Sequence, residues 1–158
     1  MGRDNAASEV AFIRSLRSRR LKATPQRVVV YRILQERDGH MTADEVMAAA
    51  ARDLPNVSLP TIYAALQVLE ELGLVRRVAS LGGTALYDSR AAAHHHALCR
   101  VCGKVWDLDV AVDDGPARLA ATAAGLQPEQ AQVTVQGICA ECAERRPARL
   151  TRPSAEEA

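Results

Sequence analysis

The chain has 158 residues, 20 Lys and Arg against 19 Asp and Glu, 3% aromatics and four cysteines. That length suits one ordinary domain or two small ones sharing support, and so few aromatics exclude a single aromatic-rich core. No stretch approaches the ~18 apolar residues of a membrane span, and the N-terminus lacks the apolar run of a signal peptide. The expectation is therefore a cytoplasmic protein whose cysteines stay reduced.

Residues 1–8 read as loose and polar. From about Ser8 to Arg20, Val10, Ile13 and Leu16 recur at helical spacing. Thr24-Pro25 offers an N-cap and a proline at the first helical position, opening a helix to about Arg37 with Val28, Val29, Tyr31, Ile33 and Leu34 as its apolar surface. Thr42-Ala43-Asp44-Glu45 is a capping box, and Val46, Met47 and Ala50 carry that helix to about Ala51. Ser58 reads as the next N-cap. Ile62, Leu66, Leu69 and Leu72 then share an inward face, Tyr63, Gln67 and Glu70 lie on another, and Gly73 ends the helix. Leu74–Ser80 and Thr84–Asp88 read as short strands joined by a turn at Leu81-Gly82-Gly83. Helices followed by a two-stranded hairpin form the winged-helix pattern, in which one helix enters the major groove.

Charge supports that reading. Residues 1–80 carry 12 basic against 9 acidic side chains (+3), and residues 81–158 carry 8 against 10 (−2). Between Val10 and Gln35 stand Arg14, Arg17, Arg19, Arg20, Lys22, Arg27 and Arg32 with no acidic residue. Beside a helix-turn-helix pattern, such a run reads as a phosphate-contacting surface rather than a merely solvated face.

After a linker around Ser89–Ala93, His96–Val101 and Lys104–Asp109 read as strands, Pro116–Ala124 as a helix closed by Gly125, and Ala131–Ile138 as a third strand. This second unit carries all four cysteines, as Cys99-x-x-Cys102 and Cys139-x-x-Cys142. One such pair could be a redox couple. Two pairs complete the all-thiolate tetrahedron of structural zinc, pinning the first strand turn to the C-terminal segment. Beyond Cys142 the tail reads as disordered. The expected architecture is α+β: a winged helix-turn-helix DNA-binding domain over residues 1–89, a small zinc-stapled dimerisation domain over 90–145, and a tail over 146–158.

Leu21-Lys22-Ala23-Thr24-Pro25-Gln26-Arg27, Thr61-Ile62-Tyr63 running into Leu69-Glu70-Glu71-Leu72-Gly73-Leu74-Val75, the histidine-rich Cys-x-x-Cys and Gly137-Ile138-Cys139-Ala140-Glu141-Cys142 together resemble the ferric uptake regulator family. The likeness runs from about Leu16 to Cys142. It implies a metal-dependent repressor, not an enzyme, acting as a homodimer on a palindromic duplex operator, with no membrane partner. The implied base contacts are Tyr63 and Gln67, with Arg14, Arg17, Arg19, Arg20 and Arg27 on phosphates. One departure stands out. Members often have Arg or Asn directly after the recognition-helix Tyr, where this chain has Ala64 and Ala65, so side-chain base readout there is lost.

His94 and His96, two apart on a strand, point to one face; Asp107 lies on the neighbouring strand, Asp88 ends the wing, and His40 precedes the third helix. Singly each reads as a surface group. As a set, the resemblance implies a regulatory site of His40, Asp88, His94, His96 and Asp107, whose mixed nitrogen and oxygen donors suit Fe(II) or Mn(II) and can hold Zn(II). Aspartate at both carboxylate positions resembles the peroxide-sensing branch, in which bound Fe(II) reacts with peroxide and an oxidised histidine releases the metal; His40 and His94 would carry this. The alternative is an iron-responsive uptake regulator. A third family site would use His95 and Asp114, but Ala131 stands where its late histidine belongs, so it reads as incomplete. A reading from another class, a metal-dependent hydrolase, finds no general base apart from these ligands.

Overall fold

The computed structural model describes residues 2–37, 39–79, 84–90, 92 and 94–145. The first helix, α1 (Gly2–Ser18), starts well before Ser8, so the segment expected to be loose is helical. Its buried face also differs from expectation. Phe12 and Leu16, one turn apart, are buried, while Val10 is half exposed. The Phe12 ring stacks on Tyr31 with centroids 4.4 Å apart, a contact worth about 1 kcal/mol beyond its burial. That stacking draws the Phe12–Leu16 stripe inward and leaves Val10, two residues away, on the far side.

α2 (Pro25–Glu36) begins under Thr24, whose hydroxyl accepts the Arg27 N–H, and buries Val29, Val30, Tyr31, Ile33 and Leu34. A short strand unforeseen in the sequence, β1 (His40–Thr42), leads into α3 (Ala43–Ala50). The capping box forms: the Glu45 N–H donates to the Thr42 hydroxyl at 3.2 Å, and the Thr42 N–H donates to the Glu45 carboxylate at 2.7 Å. α4 (Leu59–Glu71) buries Ile62, Leu66 and Leu69 completely, each burial worth about 1.5–3 kcal/mol. Ser58 stands at its N-cap without making a capping bond. Gly73, at φ 69°, closes it: Leu74 N–H donates to Leu69 O and Gly73 N–H to Glu70 O, both 2.9 Å.

β2 (Arg76–Ala79) and β3 (Ala85–Asp88) form the wing strands, and β1 adds to the other side of β3. The wing sheet is thus three-stranded, β1-β3-β2, rather than a simple hairpin. The fold is a winged helix followed by a second, smaller sheet; the turn expected at Leu81-Gly82-Gly83 lies outside the described residues. No described helix is long and apolar enough to cross a membrane.

The second sheet comprises β4 (His95–Cys99), β5 (Val105–Leu108) and β6 (Thr134–Gly137) in the order β5-β4-β6. β5 runs antiparallel to β4 and β6 parallel to it. α5 (Gly115–Ala123) makes the crossover, and α6 (Ala140–Glu144), unforeseen as a helix, follows β6. The tail expected over 146–158 lies outside the described residues. Among the described residues from His94 onward, the buried side chains are His94, His96, Leu98, Cys99 and Cys142. All but Leu98 are potential metal ligands. The hydrophobic core belongs to the first unit, running from Phe12 to Tyr87.

A polar strap crosses between the two units: Arg76 in β2 donates to the Gln130 side chain, in the segment between α5 and β6. Within the second unit, Gln132 Nε2 donates to the His94 carbonyl at 3.1 Å.

α1 ends in the same hydrogen-bond pattern as α4, but with Arg20 rather than glycine in the left-handed position, at φ 59°. A side chain there crowds its own backbone. Arg20→Gly should therefore raise stability by about 0.5–1 kcal/mol, seen as a higher urea midpoint at unchanged slope; a lower midpoint would contradict the cap assignment.

Candidate metal centres

Strand register builds the first centre. In the wing sheet His40 of β1 lies opposite Asp88 of β3, and in the second sheet His96 of β4 lies opposite Asp107 of β5. Directly opposed antiparallel residues project to the same face, so each sheet contributes one His–Asp pair to the space between them. His94, just ahead of β4, completes the group. One donor atom from each of the five lies within 4.8 Å of every other. A metal with bonds of about 2.1 Å spans about 4.2 Å between opposite donors, so the group needs only slight contraction to hold one ion.

Their protonation makes the case for a cation. His94 Nδ1 lies 2.9 Å from the Ala92 carbonyl, which only accepts, so Nδ1 carries the proton and Nε2 presents a lone pair. That Nε2 sits 3.1 Å from both Asp88 Oδ2 and Asp107 Oδ1. His40 Nε2 lies 3.4 Å and His96 Nε2 3.8 Å from the same Asp107 oxygen. Four side-chain polar atoms among the described residues are buried without a hydrogen-bond partner, and three of them are His40 Nε2, Asp88 Oδ2 and His96 Nε2. At His94 an acceptor nitrogen faces two carboxylate oxygens, and such groups repel until a proton or a metal ion lies between them. Burial, with His94 and His40 alongside, lowers the His96 pKa and keeps the ring neutral, as a ligand must be. Asp107 alone has appreciable solvent access, 28% against 5% or less for the other four.

The second centre follows from the parallel β4–β6 register, which sets Cys99 beside Gly137 and so brings Cys139 over it. Gly103, at φ 74°, closes the turn after Cys102, its N–H donating to the Cys99 carbonyl at 2.9 Å. The first turn of α6 swings Cys142 in. All four sulfurs lie within 4.8 Å of one another, and Cys102 and Cys139 are 3.9 Å apart. That is far beyond a disulfide and close to the about 3.8 Å that tetrahedral zinc–thiolate bonds impose. The Cys139 N–H donates to Cys99 Sγ at 3.3 Å, the largest of the contacts that lower its pKa to about 6. The Cys142 thiol, hydrogen-bonded to Cys139 and buried, is pushed up to about 12. The N–H contact favours the thiolate at Cys99, whereas hydrogen bonding to the neighbouring sulfurs and burial disfavour it at Cys142.

The other candidates are placed differently. His95 Nδ1 accepts the Val133 N–H, and Asp114 pairs with Arg118 at 2.6 Å. Neither joins a group of three or more potential ligands among the described residues. On α4, Tyr63 is 45% exposed, and Gln67 is exposed but donates to Glu71. Ala64 faces outward while Ala65 is buried in the core. Only position 64 of that pair could reach a groove. Arg14 and Arg17 are exposed. Arg19, by contrast, donates to the Glu71 carbonyl at the end of α4 at 3.1 Å, and Arg27 to the Lys22 carbonyl at 2.7 Å. Sequence reasoning missed Arg90 and Asp109, which pair beside the first centre; their bond raises the Arg90 pKa and lowers that of Asp109. No local pattern announces a contact 19 residues apart.

A winged helix joined through a histidine–carboxylate cluster to a cysteine-bearing sheet is the build of a metal-dependent transcriptional regulator. The model of the ferric uptake regulator family matches residues 18–136, well over half the chain, and the chain belongs to that family. The peroxide-responsive repressor PerR of Staphylococcus aureus is 32% identical over 133 residues, covering 84% of this chain and 90% of the relative. The ferric uptake regulator of Helicobacter pylori superposes with a TM-score of 0.71 at 22% identity, over 89% of this chain and 95% of that one. The manganese-bound regulator of Pseudomonas aeruginosa gives 0.62 at 28% identity, over 79% and 95%.

His96 supplies a pH prediction. Its folded pKa lies below the ordinary value of about 6.5, so on acidification the unfolded chain takes up this proton first. The stability of protein holding zinc but no other metal should be constant above that value and fall as pH drops through the folded one. Urea midpoints at pH 8 and 5.5 check it. His96→Asn should flatten this part of the profile.

Proposed function

We propose that the protein is a homodimeric, DNA-binding repressor that senses peroxide through Fe(II) held by His40, Asp88, His94, His96 and Asp107, with Mn(II) as the unreactive substitute and zinc fixed by the four cysteines. The observation that carries this is the cluster of buried lone pairs shared between two sheets. His40 and Asp88 belong to the wing sheet, His94, His96 and Asp107 to the second sheet. A metal bridging them fixes the angle between a DNA-reading unit ending near residue 89 and a dimerising unit beginning near 90. The metal's preference for that closed arrangement supplies the coupling energy.

Similarity to a peroxide-responsive repressor supports the choice of signal, as do two aspartate rather than glutamate ligands. His40 and His94 are the residues to take up oxygen. Asp107, the ligand open to solvent, marks the side from which peroxide enters. Fe(II) held there would give one electron to cleave the peroxide O–O bond and regain one from the imidazole, so that imidazole and hydrogen peroxide become oxo-imidazole and water. An oxidised histidine that no longer ligates would free the hinge and release the operator. Tyr63 and Gln67 on α4, with Arg14 and Arg17 on α1, form the DNA-facing set; Arg19 and Arg27 brace the backbone in the free protein.

The dimer follows from exposed hydrocarbon. α5 has no buried residue, and Leu119, Leu126, Val133 and Val135 are exposed. Trp106 and Val135 line a 260 Å³ apolar cavity on the same unit. Surfaces of this kind mark subunit contacts. Leu119→Asp should cost the folded subunit little, since the side chain is 76% exposed, yet shift the protein from dimer to monomer in sedimentation and abolish operator binding.

The sensing claim is tested anaerobically with Mn(II)-loaded and Fe(II)-loaded dimer on duplex operator, before and after a small dose of peroxide. Only the iron form should let go, with a one-oxygen mass gain on peptides holding His40 or His94. If both forms stay bound and only metal removal releases DNA, the protein responds to metal status, as an iron-dependent regulator would.

A further inference from the structure

Arg90, in the segment joining the wing to β4, touches both ligand carboxylates on the side away from the metal centre. Its backbone N–H donates to Asp88 Oδ1 at 2.8 Å, leaving Oδ2 as the buried atom turned to the histidines. Its guanidinium Nη1 lies 3.8 Å from Asp107 Oδ2, leaving Oδ1 as the atom that meets His40, His94 and His96. The guanidinium is held in turn by Asp109, outside the donor group. One residue thus hydrogen-bonds the outer oxygen of Asp88 and sets a positive charge 3.8 Å, beyond hydrogen-bond reach, from that of Asp107.

We infer that Arg90 is a positioning residue that makes Asp88 and Asp107 each present a single oxygen, fixing five one-atom donors and keeping Asp107 from chelating through both oxygens. This rests on reading the five-residue cluster as a metal centre. Asp88 is buried and cannot turn freely. Asp107 is partly exposed, and the Arg90 guanidinium is the cation beside its outer oxygen. A carboxylate able to chelate would fill a position that otherwise stays open to a small solvent-borne molecule. Arg90 therefore bears on the reactivity of the centre as well as on its affinity.

Two effects of removing the side chain oppose each other. Loss of a positive charge near Asp107 favours a divalent cation, whereas loss of orientation disfavours it. The guanidinium is 43% exposed, so its field is screened by water. Outer partners of ligating groups typically control 10–100-fold in metal affinity. Orientation should win, at the low end of that range, because the backbone contact to Asp88 survives substitution.

The test uses full-length zinc-loaded protein titrated with Mn(II) against a chelator, with the electron paramagnetic resonance spectrum of bound Mn(II) as second readout. Arg90→Ala should weaken Mn(II) binding about tenfold and change the spectrum, while zinc content and the urea midpoint before Mn(II) addition stay at wild-type values. Arg90→Lys should recover part of the affinity. Asp109→Ala should reproduce part of the loss, and the double variant should be no worse than Arg90→Ala, because both act through one contact. His94→Ala serves as the control for the centre itself: if it binds Mn(II) as the wild type does, the metal-site reading fails whatever Arg90 does. If His94→Ala loses Mn(II) but Arg90→Ala matches wild type in affinity and spectrum, or binds more tightly, the centre stands and the role of Arg90 is overturned. Should Arg90→Ala fold poorly, the lysine and Asp109 variants decide between the same two outcomes.

Discussion

The imidazole Nε2 of His94 faces two carboxylate oxygens at 3.1 Å while its proton is committed to a backbone carbonyl. Around it, His40 Nε2, His96 Nε2 and Asp88 Oδ2 are buried as well. A buried polar group without a full set of partners is costly, so the cluster carries a cost that a proton or a cation removes. Because the cluster spans two sheets, it can be relieved either by a cation or by moving the sheets apart. The Arg76–Gln130 contact lies across the same gap, so separation must break it too.

The second sheet depends on metal for a different reason. Its buried side chains are almost all ligands, with Leu98 as the aliphatic exception among the described residues. A sheet of three strands of four or five residues, with a helix that buries nothing, lacks the hydrocarbon to fold by burial alone. Zinc in the thiolate tetrad would tie the ends of β4 and β6 to α6. A partner subunit would cover the apolar side that α5, Trp106 and Val135 leave open. Fold stability and assembly are in this sense outsourced, whereas the winged helix stands on its own core of Leu16, Leu34, Ile62, Leu66 and Leu69.

Local chemistry made much of this readable in the sequence. The Thr42–Glu45 capping box, the Thr24-Pro25 start, the glycine after α4 and both cysteine pairs act over a few residues and appear where their spacing puts them. What escaped was set by distant partners. β1 is too short to announce itself and exists because β3 offers it an edge. Phe12 took the core face of α1 from Val10 because Tyr31 waits across the interface. Arg19 and Arg27 are basic in any composition count, but that each also gives a guanidinium N–H to a backbone carbonyl is set by the fold. The histidines and aspartates were nameable as a group only through the family likeness; their convergence depends on two strand registers that no spacing rule specifies.

The chemistry of the two donor sets would let one chain hold one ion permanently and exchange another. Four thiolates close a tetrahedron, leave no position open and suit a soft, redox-inert ion that need never leave. The Cys139 N–H donated to Cys99 Sγ favours the thiolate there, and a cation held by the four sulfurs would favour it at Cys142 as well. Imidazoles and carboxylates bind first-row divalent ions less selectively and in competition with protons. Solvent access at Asp107 leaves a route out. With the histidine–aspartate set across the joint and the thiolate set wholly within the second unit, an exchangeable ion would, on the proposed reading, move the wing while the second unit kept its shape. The reverse arrangement would lose the subunit interface each time the metal left.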